Sequence, residues 1–255
     1  MTTLLFLHAH PDDESILTGA TIAKAKANDA RVVVAFASHG DAGETNDDLG
    51  GETLGERRER EARAACDSLG VDRVVFLGFA DSGMEGTETT KNPAAFVNAD
   101  LDEIAARLAM SMVAEDIDAI VGYDRNGHYG HPDHKKVHEA AHHAAEAVHA
   151  DWVIDVTYDR EQFRGENSPY ENVDDNFASA TDEITHIVQG SEWADKKLTA
   201  LMHHQSQMPE DFDPENKEEI DGFKEAFARE WHIVTPLSGQ TDLGELGTIF
   251  EPFAS

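Results

Sequence analysis

The chain of 255 residues carries 51 acidic against 20 basic side chains, for a formal net charge of −31, with 40% apolar residues and a single cysteine. That charge excludes a sequence-independent nucleic-acid binder, which needs Lys and Arg to neutralise phosphates, and it argues against docking on anionic lipid. One cysteine excludes an intramolecular disulfide framework and fits a reducing interior, and no apolar run is long enough to span a membrane or to form a signal peptide.

A cytoplasmic globular protein with a sizeable core is the expectation. The acid excess is dispersed, with clusters at residues 41–52 and 209–225, and only nine lysines oppose it. A solvated face that keeps the protein soluble explains this more simply than a surface for cations or basic partners. Charge of this density points to a salt-loving source, because concentrated salt screens self-repulsion. Stability unchanged down to low ionic strength counts against that expectation.

The predicted elements run in a regular alternation. Residues 3–8 read as a strand, 15–28 as a helix and 31–37 as a β-branched strand, followed by an acidic, Gly-rich loop over 38–51. Residues 53–69 have helical spacing through Leu54, Ala62, Ala65 and Leu69, with Gly70 as the stop. A strand at 73–78, a long Gly/Thr/Asn-rich loop, a helix at 99–115 and a short strand at 119–122 follow. A helix at 132–149 and a strand at 152–158 complete the series. Strands separated by helices of this length imply right-handed crossovers and a mostly parallel sheet covered on both faces. Beyond about residue 160 the pattern weakens: 192–206 and 216–230 look helical, around an acidic linker holding Pro209 and Pro214. Residues 1–160 are therefore expected to form the core, with 161–255 completing the same domain as a C-terminal subdomain or cap.

Sites in such sheets form at the carboxyl ends of strands, and two unusual segments lie there. Ala9-His10-Pro11-Asp12-Asp13-Glu14 follows the first strand, and Gly127-His128-Tyr129-Gly130-His131-Pro132-Asp133-His134 follows the fourth. Residues 10 and 13, like 131 and 134, have the spacing that puts side chains on one side of a turn. A divalent transition metal such as zinc takes imidazole and carboxylate ligands and, in a catalytic site, keeps one position open. His10, Asp13 and His134 supply such a set. Asp12 stands beside the open position as general base, and His131 remains to donate a proton to the leaving group or to steady an oxyanion. Asp133 is placed to orient that imidazole and favour its charge. Taken singly, each segment reads as helix-start chemistry, with Asp as cap and Pro in the first turn. Two of them at strand ends of one sheet favour a site.

These paired motifs resemble the PIG-L/LmbE-like family of metal-dependent N-acetylglucosaminyl deacetylases. Arg57-Arg58 before Glu61 is similar to the family's arginine-bearing helix. Asp81-Ser82-Gly83-Met84 and Tyr129-Gly130 resemble its mycothiol-pathway branch, and Lys197 with His204, Ser206 and Gln207 resembles an element found late in the chain. The resemblance implies a Rossmann-like α/β three-layer sandwich that hydrolyses an N-acyl group on an amino sugar. It implies Zn2+ (or Fe2+) held by His10, Asp13 and His134, with Asp12 as base, His131 as acid, Asp133 as its orienting partner and Tyr129 as a mobile helper at the oxyanion. Arg58, Asp81, Lys197 and His204 become candidate substrate contacts, and a homo-oligomer is a common arrangement in the family. An amidase acting on a thiol-glycoside conjugate keeps the same metal site and changes only the substrate.

Other features stay open. His128 stands where a small residue is expected, and it either adds a ligand or faces solvent. His138, His142, His143 and His149 run along one helix, where a solvated surface explains them more simply than a second metal. His39 and Asp41 fit a polar loop better than a pocket mouth, and Cys66 fits core packing. A nucleotide-binding module is disfavoured, because charge replaces glycine after the first strand and carboxylates there repel a pyrophosphate.

Overall fold

Six buried residues, Thr3–His8, form the first strand (β1) of the computed structural model, which describes residues 1–45, 48–112, 116–164, 170, 173–209, 212–239 and 241–253. Four more strands run parallel to it: β2 (Arg31–Ser38), β3 (Arg73–Phe79), β4 (Ala119–Tyr123) and β5 (Trp152–Thr157). The helices between them are α1 (Asp13–Ala27), α2 (Leu54–Leu69), α3 (Leu101–Ser111) and α4 (Pro132–Ala147). β1, β4 and β5 are buried along their whole length, as strands covered on both faces must be. Alternate side chains enter opposite layers: Leu5, Leu7 and Val33 pack with Ile104, Leu108 and Val137, whereas Leu4, Phe6 and Val32 pack with Ile22, Ala65 and Leu69.

Local chemistry sets the helix ends. Thr53 and Glu56 form a reciprocal capping box at the start of α2, and Gly70 closes it in the left-handed conformation at φ 85°. Pro132 occupies the first turn of α4. Cys66, on the buried face of α2, is fully buried, and burial pushes its thiol pKa up.

Downstream of β5 come α5 (Arg160–Phe163), β6 (His186–Gln189), α6 (Ala194–Leu201), α7 (Lys217–Ala226), β7 (Arg229–Pro236) and β8 (Glu251–Pro252). The sheet order is β3-β2-β1-β4-β5-β7-β6-β8, and the last three strands are antiparallel to their neighbours. These strands correct the expected helix over 216–230: it stops at Ala226, and Glu230 lies in β7. Trp231 to Val234 form a bulky run of two ring-bearing and two β-branched side chains whose partner strand, β5, is distant in sequence. α3 ends at Ser111, and the last residues of the helix expected over 99–115 lie outside the described residues.

β1 leads to β2 on one side, whereas the chain returns from β3 to β4 on the other. This reversal opens a crevice above the carboxyl ends of β1 and β4.

Candidate active site

The two motifs meet in that crevice. His10, Asp12 and Asp13 lie between β1 and the first turn of α1, and His131, Asp133 and His134 lie at the start of α4. The Asp13 carboxylate stands between two imidazoles, with Oδ2 3.6 Å from His10 Nδ1 and Oδ1 3.4 Å from His134 Nε2. The other nitrogen of His10, Nε2, lies 3.2 Å from Asp133 Oδ2 and 3.4 Å from Asp81 Oδ1. Burial disfavours charge on His10, but the hydrogen bonds to Asp133 and Asp81 and the charge of Asp13 outweigh it and push its pKa up to about 10. Burial likewise opposes ionisation of Asp13, yet the His134 and His10 imidazoles hold its pKa well below the usual range.

Asp12 has φ 108°, a left-handed backbone value uncommon for any residue but glycine. Its N–H donates to Glu14 Oε2 at 2.9 Å, and its Oδ2 accepts from Arg58 Nη2 at 3.2 Å. Burial raises the Asp12 pKa to about 6, with the Arg58 charge acting against the rise and Asp13 adding to it. Arg58 is itself buried and donates to the carbonyls of Pro11 and Gly40. Gly40 is required there: a Cβ would meet the guanidinium at 2.4 Å, and φ is +67°.

One expected contact is corrected. The Asp133 carboxylate makes no hydrogen bond to the His131 ring, although its charge still favours the protonated imidazole; it accepts from His10 and from both the N–H and the hydroxyl of Ser82. His131 Nδ1 instead accepts from the Asp133 backbone N–H at 3.1 Å, making His131 the cap of α4. An Nδ1 that accepts carries no proton, so the neutral ring is protonated at Nε2. Burial, with the like charges of His10 and His134, lowers the His131 pKa to about 4.

Asp12, Asp13, His10, His131, Arg58, Asp81 and Tyr129 all line one cleft of about 500 Å³, together with Met84, Thr87, Thr89 and Gln207. Tyr129 projects, 44% exposed, from a loop whose flanking residues Gly127, His128 and Gly130 all have positive φ. Asp81 is anchored by the N–H groups of Gly83 and Ala42. Burial opposes its ionisation, but those bonds and the His10 contact hold its pKa below the usual range.

Lys197 and His204, expected as substrate contacts, are both buried and are not among the residues lining this cleft. α6 packs across α1 and α2, so its inner side faces protein. Lys197 Nζ pairs with Glu230 at 2.6 Å, and His204 Nε2 pairs with Glu14 Oε1 at 2.7 Å. His128 is fully buried, edge-on to Tyr123 and Tyr158, which corrects the solvent-facing alternative. His39 stacks on Phe76 and pairs with Glu59.

Sequence reading missed Ser82 and Glu14 as supports of the site. Ser82 was visible as the neighbour of Asp81 just past β3, and Glu14 as the last residue of the first motif, but nothing in the chain disclosed their partners.

Fold and site together define a class: a Rossmann-like α/β protein whose switch-point crevice holds imidazoles and carboxylates instead of phosphate-binding glycines. The chain belongs to the PIG-L family, whose model, described as GlcNAc-PI de-N-acetylase, matches residues 5–145. It is 36% identical over 252 residues to the 1D-myo-inositol 2-acetamido-2-deoxy-alpha-D-glucopyranoside deacetylase of Geodermatophilus obscurus, covering 82% of this chain and 83% of that one. Two solved structures share the fold. The N,N'-diacetylchitobiose deacetylase of Pyrococcus horikoshii has a TM-score of 0.64 at 17% identity over 95% of this chain and 88% of its own. The 4-carboxy-2-hydroxymuconate hydratase GalB of Pseudomonas putida has a TM-score of 0.61 at 17% identity over 95% of this chain and all of its own. The fold thus hosts more than one reaction, and residues at the crevice must discriminate among them.

Proposed function

We propose that this chain is a metal-dependent N-deacetylase that hydrolyses the acetamido group of an N-acetylglucosamine-containing glycoside or glycolipid. The observation that carries the proposal is the Asp13 carboxylate between His10 and His134, with Asp12 and His131 lining the same cleft. The donors suit a divalent ion: ligand atoms of His10, His131 and His134 lie within 4.8 Å of one another, and Asp13 lies against His10 and His134. Both ring nitrogens of His134 are buried without a hydrogen-bond partner among the described residues, and His10 is backed by Asp133 as metal-ligating imidazoles commonly are. His10, Asp13 and His134 would hold zinc, or iron(II), which accepts the same ligands.

The ion, when bound, supplies Lewis acidity towards the amide oxygen and acidifies water. Asp12 Oδ2, tethered by Arg58, takes the proton of the attacking water, a role suited to a carboxyl with a pKa of about 6. His131 donates from Nε2 to the oxyanion that develops on the former carbonyl. Asp12 then returns its proton to the departing nitrogen, so that amide and water become acetate and amine. His131 thus serves as a neutral hydrogen-bond donor, and the expected charged acid is not required.

A second reading retains these residues and makes the substrate a thiol-glycoside conjugate cleaved at its amide. Met84, half exposed on the cleft wall, favours it by offering apolar, polarisable surface to a sulfur-bearing group. Amine release from 1D-myo-inositol 2-acetamido-2-deoxy-α-D-glucopyranoside, measured beside a thiol conjugate, ranks the two.

The test of mechanism is Asp12→Ala. The variant is expected to retain its ion, measured after equilibrium dialysis, while amine release falls by about 10²–10⁴-fold. Undiminished turnover overturns the assignment of the base.

A further inference from the structure

One helical turn beyond the crevice, α4 carries His138-Glu139-Ala140-Ala141-His142, an H-E-x-x-H pattern. Its two histidines are four residues apart and share a helix face, the spacing by which helices present paired imidazoles to zinc. The fold adds what the helix lacks. Asp155 of β5 is buried beneath them, and its Oδ1 lies 3.0 Å from His142 Nε2 and 3.3 Å from His138 Nδ1, which also lies 2.9 Å from the Tyr123 carbonyl oxygen. One ligand atom from each of the three residues fits within a 4.8 Å span.

We propose that His138, His142 and Asp155 form a second binding site for a divalent transition metal, separate from the crevice. Zinc about 2.1 Å from each donor of a tetrahedron separates neighbouring donors by about 3.4 Å, close to the two spacings between Asp155 and the imidazoles. The ion would take the place of the hydrogens that His142 Nε2 and His138 Nδ1 now direct at Asp155 and the Tyr123 carbonyl, each proton moving to the other nitrogen of its ring or leaving to solvent. Two imidazole nitrogens and one carboxylate select zinc, nickel or copper over calcium and magnesium, which require oxygen ligands. The site opens to solvent, since the His138 and His142 side chains are 25% and 35% exposed, and water fills the remaining coordination position.

The site binds without catalysing. Glu139, which acts as base in peptidases bearing this pattern, is paired here with Lys136 and is mostly exposed. His143 is outside the cluster and pairs with Asp102. Bound metal would clamp α4 to β5, so its effect falls on the stability of the scaffold beneath the crevice.

The test titrates the untagged full chain, stripped of metal, with Zn2+ against a chromophoric chelator. His142→Ala is expected to bind one ion fewer per chain than the unaltered protein, whereas Asp13→Ala retains this ion. Zinc should also raise the melting temperature of Asp13→Ala and leave that of Asp13→Ala/His142→Ala unmoved. His138→Gln, a milder change on the same helix face, should weaken zinc binding by at least about tenfold. The proposal is overturned if His142→Ala binds as many ions with the same affinity, or if the only ion bound is lost with Asp13→Ala. Because the ion count and melting temperature are read without turnover, failure here leaves the deacetylase reading intact.

Discussion

α4 contributes to two clusters of the same composition, one at its first turn and one further along. In each, an aspartate from another element lies against imidazoles: Asp13 against His10 and His134, and Asp155 against His138 and His142. Their surroundings differ. The crevice cluster lies at the sheet's switch point beside Asp12, a second carboxylate whose pKa burial raises to about 6, and beside an imidazole whose Nδ1 is committed to a backbone N–H. The outer cluster has a paired, outward glutamate as its nearest acidic neighbour in sequence. Donor identity is sufficient for binding an ion, whereas turnover needs a base and an oxyanion donor facing one cleft.

The largest effect should separate the clusters by carboxylate. Asp13→Ala is expected to lower amine release by more than about 10³-fold, since it removes the group between His10 and His134. Asp155→Asn should leave turnover within about twofold once folding is verified. Comparable losses in the two variants would erase the distinction.

Next comes the support behind Asp12. His204→Gln leaves Glu14 buried without its charged partner and is expected to destabilise the chain by roughly 3–5 kcal/mol in denaturant titration. The pH dependence has a defined sign. For His204, burial opposes charge but Glu14 overcomes it and raises the pKa, so this contribution is complete below 6.5 and is lost as pH rises through the raised value. For Glu14, burial is likewise overcome, by His204, and the pKa is lowered. Its contribution is complete above 4.5 and is lost as pH falls through the depressed value. The stability difference between the unaltered chain and His204→Gln should therefore be greatest between those two limits and narrow on either side. A pH-independent difference would show that lost packing, not the ion pair, is responsible.

A smaller loss is expected from Ser82→Ala, which deprives Asp133 of a hydroxyl donor and loosens His10: a fall of about 10–100-fold in turnover, partly restored by Ser82→Thr. The smallest belongs to the outer cluster, where His142→Ala should change turnover by less than about twofold in kinetics with zinc present. A larger loss would mean that the second cluster communicates with the first.

Legibility followed interaction range. Period and stop signals marked the five parallel strands and the four helices between them, because a strand buried on both faces and a helix with apolar spacing from Leu54 to Leu69 closed by Gly70 advertise themselves within a few residues. The two histidine motifs were visible for the same reason, each compressed into one strand-to-helix turn. β6, β7 and β8 escaped because their pairing is non-local, and β6 and β8, at four and two residues, are too short for alternation to announce a face. Lys197 and His204 misled because nearness to the site along a family pattern is not exposure to it.

The amino-acid order alone determined the layered architecture, the acidic surface and the residue types offered at the carboxyl ends of β1 and β4, since each of these follows from local pattern and composition. Only tertiary structure decided that Asp133 serves His10 and leaves His131 to a backbone N–H, that His204 stands behind Glu14, and that Asp155 completes the pair on α4. Those choices depend on which side chains from distant segments come within about 3 Å, a distance at which one hydrogen bond excludes another.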